Sequence, residues 1–139
     1  MKRIAIRDDF NVFDVSDEED VQIIIGKINV EENADIQLDL SGCLIDYPAT
    51  SKLVDTIIEQ LSSLPGAKKI QIVTDYMLPI TTVINWVLLG SNKLNMHNTK
   101  ELPPEEIIQT IRTALGPFNI SLTITIRNKA GKTCDEQTI

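Results

Sequence analysis

Positive charge, cysteine and histidine are all scarce in this chain, and each shortage removes a class of function. Thirteen lysines and arginines face 20 acids, for a formal net charge of −7. Such a chain repels phosphate backbones and anionic lipid surfaces, so neither nucleic acid nor membrane is an expected partner. The deficit is uneven, because residues 1–50 hold 12 acids against 4 bases while residues 51–139 hold 8 against 9. A basic partner protein is the electrostatic complement of that first third, although the same charge also serves solubility alone.

Cys43 and Cys134 make no CxxC pair and too thin a disulfide framework for 139 residues, so reduced thiols are expected. The single histidine, His97, has no HxxxH or HExxH companion. Neither a metal site nor a cofactor follows from such a set. Charge interrupts residues 1–9 too early for a signal peptide, and no uncharged apolar run approaches the ~20 residues of a membrane span. The expected location is the cytoplasm. GxGxxG and GxxxxGK[ST] are missing too, which removes the phosphate-loop signatures.

What the chain does have is strand and helix in alternation. Arg3–Ile6 and Asn11–Val15 read as an opening hairpin about Asp8-Asp9. Ser16-Asp17-Glu18-Glu19 has capping-box spacing and starts a first helix, whose stripe Val21, Ile24, Ile25 and Ile28 carries it to about Val30. Asp35–Leu40 alternates strictly and is a half-buried strand. Thr50 or Ser51 caps a second helix with the stripe Leu53, Val54, Ile57, Ile58, Leu61 and Leu64, stopped by Pro65-Gly66. Lys69–Thr74 is a strand placed centrally in the sheet. Pro79 opens a third helix, apolar around most of its girth and therefore either deeply buried or part of an interface. A polar loop spans 91–100, a fourth helix starts at Pro103-Pro104, and residues 120–126 alternate apolar and hydroxyl-bearing side chains. Residues 128–139 offer little to pack and read as a loose tail after a single domain over 1–127.

Strands with one apolar and one polar face do not suit a sheet covered on both sides, which needs continuous apolar runs. The expected fold is therefore α/β, a two-layer sandwich in which a mixed sheet of about five strands carries its helices mainly on one face.

Ile36-Gln37-Leu38-Asp39-Leu40-Ser41-Gly42-Cys43-Leu44-Ile45-Asp46, with the helix from Thr50 and the strand at Lys69–Thr74, resembles the STAS domain of anti-sigma-factor antagonists and sulphate-transporter tails. The likeness is greatest to the STAS-like proteins of unknown function. In that family an apolar strand ending Asp-Leu-Ser-Gly leads into a helix start, and in anti-sigma-factor antagonists a serine there is phosphorylated by a partner kinase. The resemblance implies a STAS-like fold and a regulatory module without catalysis. It would bind another protein, such as a kinase-like ATPase or a sigma-factor regulator, through Asp46, Tyr47, Thr50, Ser51 and Lys52. Here Tyr47-Pro48-Ala49 follow Asp46, so the switch serine is missing from its place, and Thr50 and Ser51 are the nearest hydroxyls for phosphorylation. Capping the helix is their plainer role.

A second reading stays open, a small hydrolase or transferase using carboxylates at strand ends. Asp39, Asp46 and Asp75 end or follow strands, where α/β sheets often carry ligands. If the strands at 35–40 and 69–74 are parallel neighbours, Asp75 shares a sheet edge with Ser41 or Asp46. Catalysis by Cys43 would need His97 beside it, whereas a small buried residue is the simpler reading. A homo-oligomer built on the third helix or the polar sheet face is compatible with either function.

Overall fold

Alternation along the strands sends Ile4, Ile36, Leu38, Ile70, Ile72, Leu122 and Ile124 to the same side, where all of them are buried in one hydrophobic core. The computed structural model describes residues 1–46, 49–97 and 102–139. Five strands, β1 (Lys2–Ala5), β2 (Asp35–Asp39), β3 (Lys68–Thr74), β4 (Ile120–Arg127) and β5 (Thr133–Thr138), form a sheet in chain order. The first four run parallel, with Ile36 opposite Ile70 and Ile70 opposite Leu122, and β5 runs antiparallel to β4. A crossover between parallel strands is right-handed in nearly all proteins, so strands laid down in chain order pass every connection over the same face.

Among the described residues the connections form five helices, α1 (Ile6–Phe10), α2 (Glu18–Ile25), α3 (Ala49–Ser62), α4 (Ile80–Leu88) and α5 (Pro104–Leu115). Four of them send apolar stripes into the core. Val21 and Ile24 come from α2, Leu53, Ile57 and Leu61 from α3, Val83 and Val87 from α4, and Ile107 and Ile111 from α5. The expected α/β architecture, a mixed five-stranded sheet with β3 at its centre, is what forms.

The polar face is closed by its own side chains. Gln37 Nε2 donates to Gln71 Oε1 (2.9 Å), Gln71 Nε2 to Thr125 Oγ1 (3.0 Å), and the Thr125 hydroxyl to Glu136 Oε2 (2.9 Å). This ladder crosses β2, β3, β4 and β5. It is why Gln37 and Thr125 are buried and still satisfied.

Several expectations need correction. The opening hairpin does not form, since β1 pairs with β2 and the chain then turns through the short helix α1. Residues 11–15 instead bring Asp14 alongside Leu44 as an isolated parallel bridge. Asp17, not Ser16, is the N-cap of α2, accepting the Glu19 N–H at 2.9 Å while Ser16 bonds Asp14. The helix ends at Ile25, and Gln60 of α3 holds the following turn by accepting from Val30 N and donating to Ile28 O. The loose tail is instead a β-hairpin. Asn128 Oδ1 accepts from Ala130 N and Lys132 N, Gly131 adopts φ +79°, and β5 follows, with the buried Ile139 just after it.

The polar segment after α4 is also better ordered than its composition suggests. Asp55 of α3 accepts from the Ser91 hydroxyl and from the Asn92 and Lys93 amides, a turn that buries Leu94 and Met96. Residues 98–100, the remainder of the expected loop, lie outside the described residues.

Candidate functional site

The carboxyl ends of β1, β2, β3 and β4 lie side by side, because all four strands run the same way. Side chains at those ends and on the β4–β5 turn line a cleft of about 570 Å³, among them Arg3, Arg7, Asp39, Asp75, Arg127 and Lys129. That volume falls in the range of small-ligand sites, which in α/β sheets lie outside the carboxyl ends of the strands.

Asp39 ends β2 and is only 8% exposed. Its Oδ2 accepts from Arg3 Nη2 (2.7 Å) and Nε (3.2 Å), and its Oδ1 from the Ser41 N–H (2.9 Å). Burial pushes this carboxyl up, but Ser41 and the Arg3 guanidinium together outweigh burial and hold it below the usual carboxylate range. The Asp39 hydrogen bond in turn raises the Arg3 guanidinium.

A carboxyl lowered by folding contributes stability that is complete above its unfolded value, about 3.9, and is lost as pH falls through the lower folded value. Asp39→Asn is therefore expected to lower stability at neutral pH by about 1–2 kcal/mol, allowing for the half-exposed Arg3, and to flatten the acid limb of the stability curve. Urea unfolding at pH 7 and pH 3 checks this. An equal loss at both values would contradict it.

Beyond Asp39 the chain reverses at Gly42, whose φ is +76° and whose N–H donates to Asp75 Oδ2 at 3.1 Å. The parallel pairing of β2 and β3 thus brings Ser41 and Asp75 to one edge, as the strand-end reading anticipated. Asp46 and His97 are exposed and do not line this cleft. Among the described residues no three His, Cys, Asp or Glu side chains gather to hold a metal ion, and no helix is long and apolar enough to cross a membrane.

Cys43 is buried, and its Sγ lies 3.4 Å from Val12 O. Burial first, then the Asp39 and Asp75 charges, push its thiol up to about 11. It has the character of a packing residue and not of a nucleophile.

The segment singled out as partner-binding divides in two. Asp46 is exposed and Lys52 is half-buried with its Nζ 3.1 Å from Glu18 Oε1, whereas Thr50 and Ser51 are fully buried. The Thr50 hydroxyl donates to Asp46 O (2.7 Å) and accepts the Asp46 N–H (3.1 Å), closing the loop onto the start of α3. Phosphorylation of Thr50 would first require that turn to open. Tyr47 lies outside the described residues.

Beside Asp46 the same edge carries apolar side chains in water. Phe13 is 51% exposed, Leu44 60% and Met77 61%. Their loops are joined by Leu44 N–H to Phe13 O (2.8 Å) and by Ile45 N–H to the Tyr76 hydroxyl (3.2 Å), and Tyr76 packs edge-on against Trp86.

Asp39 and Asp75 of the cleft could be found as residues that end or follow strand segments, whereas Asp8, which also lines it, could not. Arg127 carries the same signal, as the residue just past 120–126, but Arg7 and Lys129 carry none in the sequence. Set against protein-family models, curated proteins and solved structures, the chain has no match in any of the three.

Proposed function

We propose that this protein is a non-catalytic interaction module that binds another protein through the loops at the carboxyl edge of its sheet. The observation that carries the reading is the exposed set Phe13, Leu44 and Met77, held on loops fastened to one another by main-chain and tyrosine hydrogen bonds. Large apolar side chains fixed in water mark interaction surfaces, and fixing them beforehand reduces the ordering cost of binding.

Exposed acids flank this patch in sequence, with Asp17 and Glu18 after Phe13 and Asp46 after Leu44. The fitting partner has an apolar centre rimmed by lysine or arginine. In this reading Asp46 and Lys52 touch the partner, while Thr50 and Ser51 act from inside by holding the loop. The STAS resemblance points the same way, toward a kinase-like ATPase or sigma-factor regulator as the partner.

The alternative, an enzyme using strand-end carboxylates, is favoured by the cleft but not by its chemistry. Asp39 is locked to Arg3 and held ionised well below neutrality, a poor state for proton transfer near pH 7.

The test is affinity purification of the tagged chain from its host, followed by mass spectrometry. A stoichiometric partner is expected with the native chain, and at least about tenfold less of it with Leu44→Asp or Met77→Asp, as for central apolar anchors. Ile23→Asp, at an exposed position of α2, should retain the partner at the native level. Absence of a stoichiometric partner, or equal retention by all three variants, would overturn the reading.

A further inference from the structure

In a chain with 20 acids and 13 lysines and arginines, four of the cations, Arg3, Arg7, Arg127 and Lys129, line one cleft. Arg3 is committed, with Asp39 Oδ2 at 2.7 Å and Asp8 Oδ2 at 3.5 Å. The other three differ. Among the described residues no carboxylate lies within ion-pair distance of Arg7, Arg127 or Lys129.

Arg7 is nevertheless held in place. Its guanidinium carbon lies 5.6 Å from the centre of the Phe13 ring. The same side chain abuts Gly42, where an added Cβ would fall 2.7 Å from Nη1 and 2.9 Å from Cδ. An aromatic ring and a missing side chain therefore position this guanidinium, and neither partner takes up its N–H donors.

The three cations come from different parts of the chain, a short helix, a strand end and a hairpin turn. Three cations on one cleft match the three terminal oxygens of a phosphoryl group better than the two of a carboxylate. The cleft is larger than a phosphate needs, and Ser41 and Asp75 on its wall offer a hydroxyl and a carboxylate to hydroxyl groups of a ligand's body.

We propose that the cleft at the carboxyl edge of β1–β4 binds a small hydroxylated phosphomonoester, its phosphoryl group held by Arg7, Arg127 and Lys129 and its hydroxyls by Ser41 and Asp75. This inference does not rest on the protein-binding reading, since none of its variants alters Leu44 or Met77. Because the whole chain is acidic, binding depends on the local cations and weakens steeply with salt.

Isothermal titration calorimetry of the full chain at low ionic strength tests it, with glycerol 3-phosphate, inorganic phosphate, glycerol and a phosphoserine peptide as probes. Glycerol 3-phosphate is expected to bind with a Kd of about 1 mM or tighter, ahead of inorganic phosphate and the peptide, and glycerol not at all. Arg127→Met and Lys129→Met should each weaken it about tenfold, the loss of one charge-assisted contact. Lys129 sits exposed on the hairpin turn, so its variant tests the site with the fold intact. Gly42→Ala, which displaces Arg7, should weaken it further. No binding up to about 10 mM, or affinity unchanged in both methionine variants, would overturn the site. Tighter binding of the phosphoserine peptide than of glycerol 3-phosphate would overturn the small-ligand assignment.

Discussion

Replacing Ile72 by alanine is expected to lower the free energy of unfolding by about 2–5 kcal/mol, the largest effect of any single truncation argued for this fold. Ile72 lies in the middle of β3, the central strand, is completely buried, and stands in register with Leu38 of β2 and Ile124 of β4. Neighbours fixed in two flanking strands cannot close the space left by the lost carbons. The cost therefore adds an unfilled cavity to the lost burial. A domain of this size is stable by roughly 5–15 kcal/mol, so a large share of the total is at stake. Urea unfolding should show a lower midpoint with an unchanged slope. Lys69→Ala, at an exposed position of the same strand, should stay within about 0.5 kcal/mol of the native chain. A loss under 1 kcal/mol at Ile72 would contradict the packing described.

The second large effect is a difference in thiol reactivity. Cys134 is exposed on β5, whereas Cys43 is 2% exposed with its thiol pushed up to about 11 from an ordinary value of 9.0. That shift alone leaves about a hundredfold less thiolate at pH 8, and burial slows attack further. An aromatic disulfide reagent should therefore titrate one thiol per native chain promptly and the second only in denaturant. Comparable rates for both in the native protein would refute the burial of Cys43. The sign of the pH effect follows from the same shift. A thiol whose value is raised on folding contributes stability that is complete below its unfolded value, near 9, and is lost as pH rises toward 11.

The parts of the fold that sequence reveals are those with a period to read. Asp35–Leu40 and 120–126 alternate because one side of each meets the core, and α3 and α5 show helical stripes for the same reason. The first turn of the chain has no such signal. α1 is five residues long, and what holds it is the Ala5 N–H donating to Asp9 Oδ2 at 2.8 Å and Asn11 in the left-handed region at φ 54°. Strand β5 is silent in a different way. Thr133–Thr138 has no apolar alternation, because an edge strand with mostly exposed side chains is specified by the free hydrogen bonds of β4 and by the Asn128 turn.

The candidate site was legible in proportion to its distance along the chain. Asp39, Ser41 and Asp75 are visible as strand ends, and the parallel pairing of β2 with β3 makes them one edge. Thr50 and Ser51 look like surface hydroxyls in a sequence, yet both are buried at the start of α3. Arg7 and Lys129 are separated by more than a hundred residues, and only the sheet order brings them to one cleft. Local pattern marks the central strand but not the order of the others.

The chain-ordered sheet has a consequence for biosynthesis. Strands β2, β3 and β4 each dock on the one made just before, so the sheet can grow outward as polypeptide leaves the ribosome, with no inserted strand to wait for. Only the final hairpin runs the other way, and it needs no crossover. Throughout that growth the newest strand presents an open flank to other nascent chains, until the hydrophilic β5 covers the last of them with side chains poorly suited to aggregation.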